Sequence, residues 1–259
     1  LQDYAVTVTG GTATVAAGTP ITRAMEGVEV TVTAQAPGGK HFVKWVVKAG
    51  GVTLANETSA TTTFIMPAND VTIEAKLVEN PFVDVSESSV YYDAILWAYY
   101  HEPQQITGGY TATEFRPGNP CTRGQVVTFL WRAAGCPEPT GDTSMFKDAS
   151  SIAAPYQKAV AWAVEKGITT GFADGTFRPN DSVTRAQFVT FLWRYENRPA
   201  TSGSIAGFTD ASSISGPYQQ AVAWAVEKGI TTGYNDGSFR PNATCTRWAV
   251  VLFMYRDMT

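Results

Sequence analysis

The segment AVAWAVEKGITTG occurs at residues 159–171 and again, unchanged, at residues 221–233. Each copy continues into an Asp-Gly turn, then Phe-Arg-Pro-Asn, then Thr-Arg and an apolar run. A more divergent copy precedes them, with Phe-Arg-Pro at 115–117 and Thr-Arg at 122–123. Corresponding Arg and Pro residues of the three copies lie 62 positions apart. Self-similarity at a fixed period indicates one structural unit used three times.

Each copy is predicted to form a helix, a loop and a second helix. In the second copy, apolar residues recur at helical spacing between 156 and 164, and Gly167 is placed to end that helix in a left-handed conformation. Thr184 and Gln187 have the spacing of a capping box, which starts the second helix. The first copy has about three extra residues around 101–103 and lacks the glycine. We therefore expect its first helix to end differently.

Residues 1–78 have a different pattern, in which apolar and polar residues alternate between Gly- and Pro-containing turns. This alternation predicts half-buried strands around one small core that includes Phe42, Trp45 and Phe64. The predicted fold class is therefore α+β and multidomain: a small all-β module followed by a mostly α region. The predicted boundaries are 1–78 for the module, 79–81 for a linker and 82–259 for the repeats, which divide at about 82–139, 140–201 and 202–259.

Composition excludes several classes of function. A formal net charge of −4 argues against a duplex nucleic acid partner, which requires a basic surface. No stretch approaches the roughly 20 apolar residues of a membrane span, so no membrane insertion is predicted. No secretory signal opens the chain, and we expect it to be a piece of a longer protein. Gly-x-Ser-x-Gly, phosphate-loop and His-Glu-x-x-His motifs are absent, so the chain is predicted to be neither an enzyme nor dependent on a cofactor.

The cysteines suggest a structural role. Cys121 and Cys245 occupy the position that holds Val183 in the second copy, which favours a small buried apolar site; a disulfide between the two is the alternative. With only two histidines in the chain, a metal cluster is not expected. The Asp174-Gly175 and Asp236-Gly237 pairs are predicted to be turns, because a Phe and a Pro interrupt the spacing of calcium ligands.

Arginine follows the capping threonine in all three copies, as Arg123, Arg185 and Arg247. A cation at the start of a helix is mildly unfavourable for the helix dipole, so its repetition suggests a purpose other than capping. A helix N-terminus offers amides to an anion, and a guanidinium adds a fork that fits a carboxylate or phosphate. These positions predict an anion receptor made three times; solvated arginines without a role are the alternative.

Two further sets of residues are weaker candidates. The tryptophans of the first helices are placed either to pack against a neighbouring helix or to form a rim on which a sugar ring stacks. The aspartates that open each copy are placed either to form a turn or to bind glycan hydroxyls. These candidates are Trp97, Trp162 and Trp224, and Asp84, Asp148 and Asp210.

The repeated motifs resemble the S-layer homology motif. The resemblance rests on Phe-x-Asp, a Tyr/Ala/Trp helix, Gly-Ile-Thr-x-Gly, Asp-Gly-x-Phe-Arg-Pro-Asn and Thr-Arg-Ala-Gln, in three copies over 82–259. Residues 1–78 resemble the divergent β-repeat modules of Gram-positive surface proteins, which implies a spacer on an extracellular protein. The first resemblance implies a pseudo-threefold trimer with a central three-helix bundle. It also implies a partner, a secondary cell-wall polysaccharide that often carries a pyruvyl ketal on N-acetylmannosamine.

The resemblance assigns the anion-binding role to the three arginines, and the groove glycines Gly109, Gly171 and Gly233 join the weaker candidates. The acidic fourth residue of the family's Thr-Arg-Ala-Glu motif is Gln125, Gln187 or Ala249 here. Because bulky Trp248 follows Arg247, the groove around Arg247 is expected to be degenerate.

The sequence therefore predicts a non-enzymatic anchor, located outside the cell at the wall or S-layer, that tethers a surface protein by binding an anionic polysaccharide. A lattice module that self-associates without strong glycan binding is one alternative. An ancillary region of a surface glycan-degrading enzyme is the other.

Overall fold

The computed structural model describes residues 2–16 and 18–259 and divides the chain into two compact units. One unit extends to Val83, and the other runs from Asp84 to Met258. This division lies close to the predicted linker at 79–81, and the exact domain limits stay a prediction. The first unit contains β-sheets and the second contains six α-helices, which confirms the predicted mixture of α and β structure.

The first unit consists of two sheets. The strands are β1 (Asp3–Thr9), β2 (Gly11–Thr14), β3 (Arg23–Met25), β4 (Glu29–Ala34), β5 (Lys40–Ala49), β6 (Thr61–Ile65) and β7 (Val71–Glu79). One sheet has the order β3-β1-β7-β5 and the other β2-β4-β6. The β1–β7 pair is parallel and the remaining pairs are antiparallel. Trp45 and Phe64 are buried in the core between alternating valines, and Phe42 is half-buried against it, as the alternation predicted.

The second unit contains three helix pairs. The first helices of the copies are α1 (Tyr92–Tyr100), α3 (Ala154–Glu165) and α5 (Gly216–Glu227), and the second helices are α2 (Arg123–Ala133), α4 (Arg185–Tyr195) and α6 (Arg247–Met258). Gly167 has φ +64°, the left-handed conformation predicted for the end of α3. Helix α1 is shorter than α3 and ends before His101 without a glycine, as expected from the divergent sequence.

Capping boxes start two of the second helices. Thr122 with Gln125 caps α2, and Thr184 with Gln187 caps α4, with both hydrogen bonds of the motif present. In α6 the position of the returning Gln is occupied by Ala249, and the buried Oγ1 of Thr246 has no hydrogen-bond partner. The predicted loss of the third capping box is therefore confirmed.

The copies are joined in a closed cycle. Helix α3 packs on α2, α5 packs on α4, and α1 packs on α6, so each first helix lies against the second helix of another copy. Backbone bonds complete the cycle: the amide of Cys121 donates to the carbonyl of Cys245, Val183 donates to Cys121, and Cys245 donates to Val183. Cys121 and Cys245 are free and buried, which agrees with the apolar role and not with a disulfide.

Candidate functional site

Each arginine that opens a second helix reaches into the loop of the next copy. The Nε of Arg123 donates to the carbonyl of Phe177 (2.8 Å), that of Arg185 to Phe239 (2.9 Å), and that of Arg247 to Phe115 (3.0 Å). In two cases Nη2 also donates to a threonine hydroxyl, Thr231 for Arg185 and Thr107 for Arg247. The bonds run from copy one to two, two to three and three to one. The arginines therefore connect the copies.

The guanidinium groups are buried among aromatic rings. The three arginines are 3–4% exposed. The Cζ of Arg185 lies 4.7 Å from the ring centre of Tyr234, 5.1 Å from Phe239 and 5.2 Å from Phe253, and the other two arginines have equivalent neighbours. Burial lowers the pKa of Arg123 to about 10, with Asp181 acting in the opposite direction, and burial also lowers the pKa of Arg247. Cation–π attraction to the rings and hydrogen bonds to carbonyl groups compensate the guanidiniums for the hydration that burial removes.

The predicted arrangement at the helix starts requires a correction. Sequence reasoning gave each helix N-terminus free amides for an anion, but the amides of Arg185 and Ala186 donate to Ala243 and Pro241, and that of Gln187 donates to the capping Thr184. Equivalent bonds occupy the first two amides of α2 and α6. Carbonyl groups of the neighbouring copies accept these amides in place of an external anion. The helix amides are therefore occupied, and the anion-binding role of the arginine side chains stays a prediction.

The three aspartates hold the Phe-Arg turns of their own copies. Each carboxylate accepts the amides of the Phe and the Arg in the Phe-Arg-Pro motif, at 2.7–2.8 Å. The Arg of that motif has a positive φ of 55–58°, which is unusual for a residue other than glycine. The structure thus gives Asp84, Asp148 and Asp210 a turn-forming role, and their role in binding a glycan stays a prediction.

The groove glycines have a steric reason for their identity. Gly109, Gly171 and Gly233 all have positive φ values, of 74–80°. A Cβ on Gly171 would lie 2.5 Å from Phe146 and 2.6 Å from the carbonyl of Thr176, and Gly233 has an equivalent environment formed by Phe208 and Ser238. At Gly171 and Gly233 only glycine fits without displacing a ring or the backbone.

Trp162 and Trp224 do not form the rim that was one interpretation of the sequence, and the binding role of Trp97 stays a prediction. Trp162 and Trp224 are 3% and 1% exposed, and neither indole Nε1 has a hydrogen-bond partner. Trp162 lies near Tyr195 of α4, with 6.2 Å between ring centres, and half-buried Trp97 lies near Tyr255 of α6. The close packing of first and second helices covers the rings, so the packing interpretation is correct for Trp162 and Trp224.

A groove of about 650 Å³ lies where Arg185 meets the loop and second helix of the third copy. We call it the Arg185 groove. Its walls carry three guanidinium groups, those of Arg185, Arg240 and Arg256, and one carboxylate, that of Asp236. Backbone and hydroxyl groups of 231–233 complete the polar part of the groove. The groove therefore has more positive than negative side chains, although the formal net charge of the whole chain is −4.

Trp248 lines the Arg185 groove. The side chain that was expected to make the groove around Arg247 degenerate therefore contributes to the groove around Arg185, and the degeneracy of the Arg247 groove stays a prediction. Neighbours on a helix one position apart face different directions, so Trp248 and Arg247 contribute to different parts of the surface.

Sequence reasoning missed two sets of arginines that the structure brings to the loops. One set is Arg116, Arg178 and Arg240, each over the aromatic ring that follows the groove glycine, at 4.1–4.3 Å from Cζ to the ring centre. The other set is Arg132, Arg194 and Arg256, each donating to the carbonyl of the Ile in its Gly-Ile-Thr segment or equivalent. Both sets recur at the 62-residue period, the signal that could have identified them.

The predicted turns at Asp174 and Asp236 are held by hydrogen bonds within the loops. Asp174 accepts hydrogen bonds from the amide and hydroxyl of Thr176 and from Arg178. These bonds hold the pKa of its carboxyl well below the usual range.

Across residues 2–16 and 18–259, no group of three or more His, Cys, Asp and Glu side chains is arranged to hold a metal ion. Within the same residues, no helix has the length and apolar character needed to cross a membrane.

Both parts of the chain are similar in sequence to known protein families. The family model of the S-layer homology domain matches residues 81–127, 146–189 and 207–247, and that of the Divergent InlB B-repeat domain matches residues 4–81. An endoglucanase of Bacillus sp. (strain KSM-635) is 33% identical over 71% of this chain and 19% of its own length. A cellulosome-anchoring protein of Acetivibrio thermocellus is 30% identical over 58% of this chain and 34% of its own. S-layer protein EA1 of Bacillus anthracis is 30% identical over 34% of this chain and 10% of its own.

The chain spans about a third or less of the length of these relatives. The family match and the names of the anchoring and S-layer relatives confirm the predicted location at the cell wall or S-layer and support a role in surface anchoring. Because three copies of the motif together match about half of the chain, the protein belongs to the S-layer homology domain family.

Proposed function

We propose that this protein anchors to the cell wall by binding an anionic secondary cell-wall polysaccharide, with a pyruvylated sugar as the recognised unit. The observation that carries this proposal is the set of three guanidiniums against one carboxylate in the Arg185 groove. A pyruvyl ketal presents one carboxylate on a sugar ring, and a guanidinium binds a carboxylate through charge-assisted hydrogen bonds. Arg240 already pairs with Asp236 (2.7 Å), which leaves the groove with a net excess of positive charge.

The anchored Nε bonds give these arginines a defined orientation. Because Nε of Arg185 is fixed to the carbonyl of Phe239 and Arg185 lines the groove, its guanidinium would lose little conformational freedom when an anion binds. The family's pseudo-threefold trimer with a central three-helix bundle is part of this proposal. The cyclic helix contacts and the cyclic Cys121–Val183–Cys245 bonds support it.

The proposal is tested by sedimentation with purified wall sacculi. The chain should pellet with intact sacculi and remain in solution after the pyruvylated polymer has been extracted. Pelleting that is unchanged by extraction would reject polysaccharide binding, and pelleting without any sacculi would favour lattice self-association. An active glycan-degrading role would instead release sugar from the sacculi during the incubation.

Charge in the groove is tested by Arg240→Ala, because this exposed arginine contributes charge without the buried contacts of Arg185. We expect it to weaken binding by about threefold to tenfold and to make binding less sensitive to salt. Lys158→Ala is the matched control, since Lys158 pairs with Glu138 on the surface of the same unit and does not line the groove. Equal affinity for both variants would exclude a role for the charge of Arg240.

A further inference from the structure

The Arg185 groove has a wall that differs from the equivalent positions of the other copies. At the second position of the second helix, α6 has Trp248 where α4 has Ala186 and α2 has Gly124. One turn later α6 has Leu252, and the other two helices have threonines whose hydroxyls bond back to the carbonyls of Ala186 and Gly124. Both Trp248 and Leu252 line the groove. The third copy therefore adds an aromatic and an aliphatic side chain to this one wall.

The neighbouring tyrosine explains how a large side chain fits here. In the first copy a Cβ on Gly124 would lie 3.0 Å from the ring of Tyr156, so a side chain at that position would require the tyrosine to shift. The equivalent tyrosine near α6 is Tyr91, and its ring stacks on the indole of Trp248 with 5.4 Å between centres and 29° between planes. Tyr91 thus supports one side of the indole, which is half-buried and contributes to the groove wall.

Apolar surface continues beside the indole. Val90 also lines the groove and is 77% exposed, at the position that holds Pro155 in the second copy. The lining of the groove thus combines apolar side chains with three guanidiniums, and Arg256 follows Trp248 and Leu252 at four-residue spacing on α6. A pyranose ring with an attached carboxylate has the matching pattern, since it has an apolar face of C–H groups and one localised negative charge.

We propose that Trp248 is the stacking wall for a sugar ring, so that the Arg185 groove binds an anionic saccharide more tightly than its two counterparts do. This inference rests on the proposed polysaccharide-binding function. It predicts that the three sites bind with unequal affinity, although the 62-residue repeat alone would make them equal. It attributes the difference to Trp248, which lies outside the recurring Thr-Arg pair.

The test is calorimetric titration of the full chain with the methyl glycoside of N-acetylmannosamine that carries a pyruvyl ketal. Trp248→Ala should weaken the tightest site by about tenfold, and Trp248→Phe, which keeps a ring on Tyr91, by less than about threefold. Trp193→Phe is the control, because Trp193 occupies the end of α4 and its Nε1 bonds to the carbonyl of Pro199, away from the groove lining. It should leave the affinity unchanged.

Tryptophan fluorescence provides a second readout that a purely structural role would not change. Saccharide binding should alter the emission of the native chain and of Trp193→Phe, and the change should be lost in Trp248→Phe. Binding by Trp248→Ala that equals or exceeds that of the native chain would overturn this inference and leave the anchoring function intact. A native chain that binds neither the saccharide nor the sacculi would overturn the anchoring function and this inference with it.

Discussion

Replacing the buried arginines tests whether they hold the copies together. Removal of Arg123, Arg185 or Arg247 leaves a buried carbonyl of the next copy without its donor, which costs about 1–3 kcal/mol. Lost packing of the side chain against two or three rings adds about 1–2 kcal/mol. Release from the desolvation that lowers the pKa of Arg123 to about 10 offsets part of this loss. We expect each Arg→Ala change to destabilise the helical unit by about 2 kcal/mol.

The assay is denaturant unfolding of the full chain, followed by the helical circular dichroism signal. All three variants should unfold at lower denaturant concentration than the native chain, and by similar amounts, because the three carbonyl bonds are equivalent. Lys158→Ala, which removes an exposed ion pair, should stay within about 0.5 kcal/mol of the native stability. Unchanged midpoints for the arginine variants would refute the inferred connection between copies. Arg185→Lys should be intermediate, since an ammonium keeps the charge without the planar fork.

Three further changes test the local structure by denaturant unfolding. Gly171→Ala should cost about 2–4 kcal/mol, because it adds strain at φ +74° and a contact with Phe146, whereas Gly216→Ala, which meets no neighbour, should not destabilise. Thr184→Ala should cost about 1 kcal/mol, and Thr246→Ala, whose hydroxyl has no partner, less; equal losses would contradict the capping assignment. Burial, with the nearby charge of Glu196, raises the pKa of Asp257 to about 7. Asp257→Asn should therefore stabilise the chain above pH 7, and it should remove the stability that the native chain loses as the pH rises from about 4 to 7.

The sign of the Asp257 effect follows from its raised pKa. Between about pH 4 and pH 7 the folded state retains a proton that the unfolded state has released, so stability falls as the pH rises through this range. The carboxylates of Asp174 and Asp236 have lowered pKa values and act in the opposite direction, but only in more acidic solution. A native chain that is equally stable at pH 4.5 and pH 7.5, with no effect of Asp257→Asn, would contradict this assignment.

Features set by neighbouring residues were predictable from the sequence. The capping boxes at Thr122 and Thr184 and the left-handed end at Gly167 depend on residues within a few positions, and each was found where the motif predicted it. The alternation of apolar residues around Trp45 likewise located the core of the β-module.

Features that depend on distant backbone were not predictable. The partner of Arg123 is a carbonyl 54 residues away, and that of Arg247 is 132 residues away, and a carbonyl has no sequence signature. For the same reason the helix amides were expected to be free, although carbonyls of the next copy occupy them. The flank position of Trp162 on α3 was compatible with exposure or burial until the packing of α2 and α4 was known.

Stability alone does not account for three buried arginines. A buried charge brings a desolvation cost that a well-packed apolar side chain of similar volume avoids, so the aromatic surroundings of Arg185 could have been filled by an apolar residue. None of the hydrogen bonds that these three guanidiniums make within residues 2–16 and 18–259 has a carboxylate as acceptor. On the proposed function their charge is balanced by an acceptor from outside the chain, and Arg185 lines a groove that Arg240 and Arg256 also line. On the same proposal, an anion bound in this groove would contact a cation that connects two copies, so that binding would stabilise the junction between them.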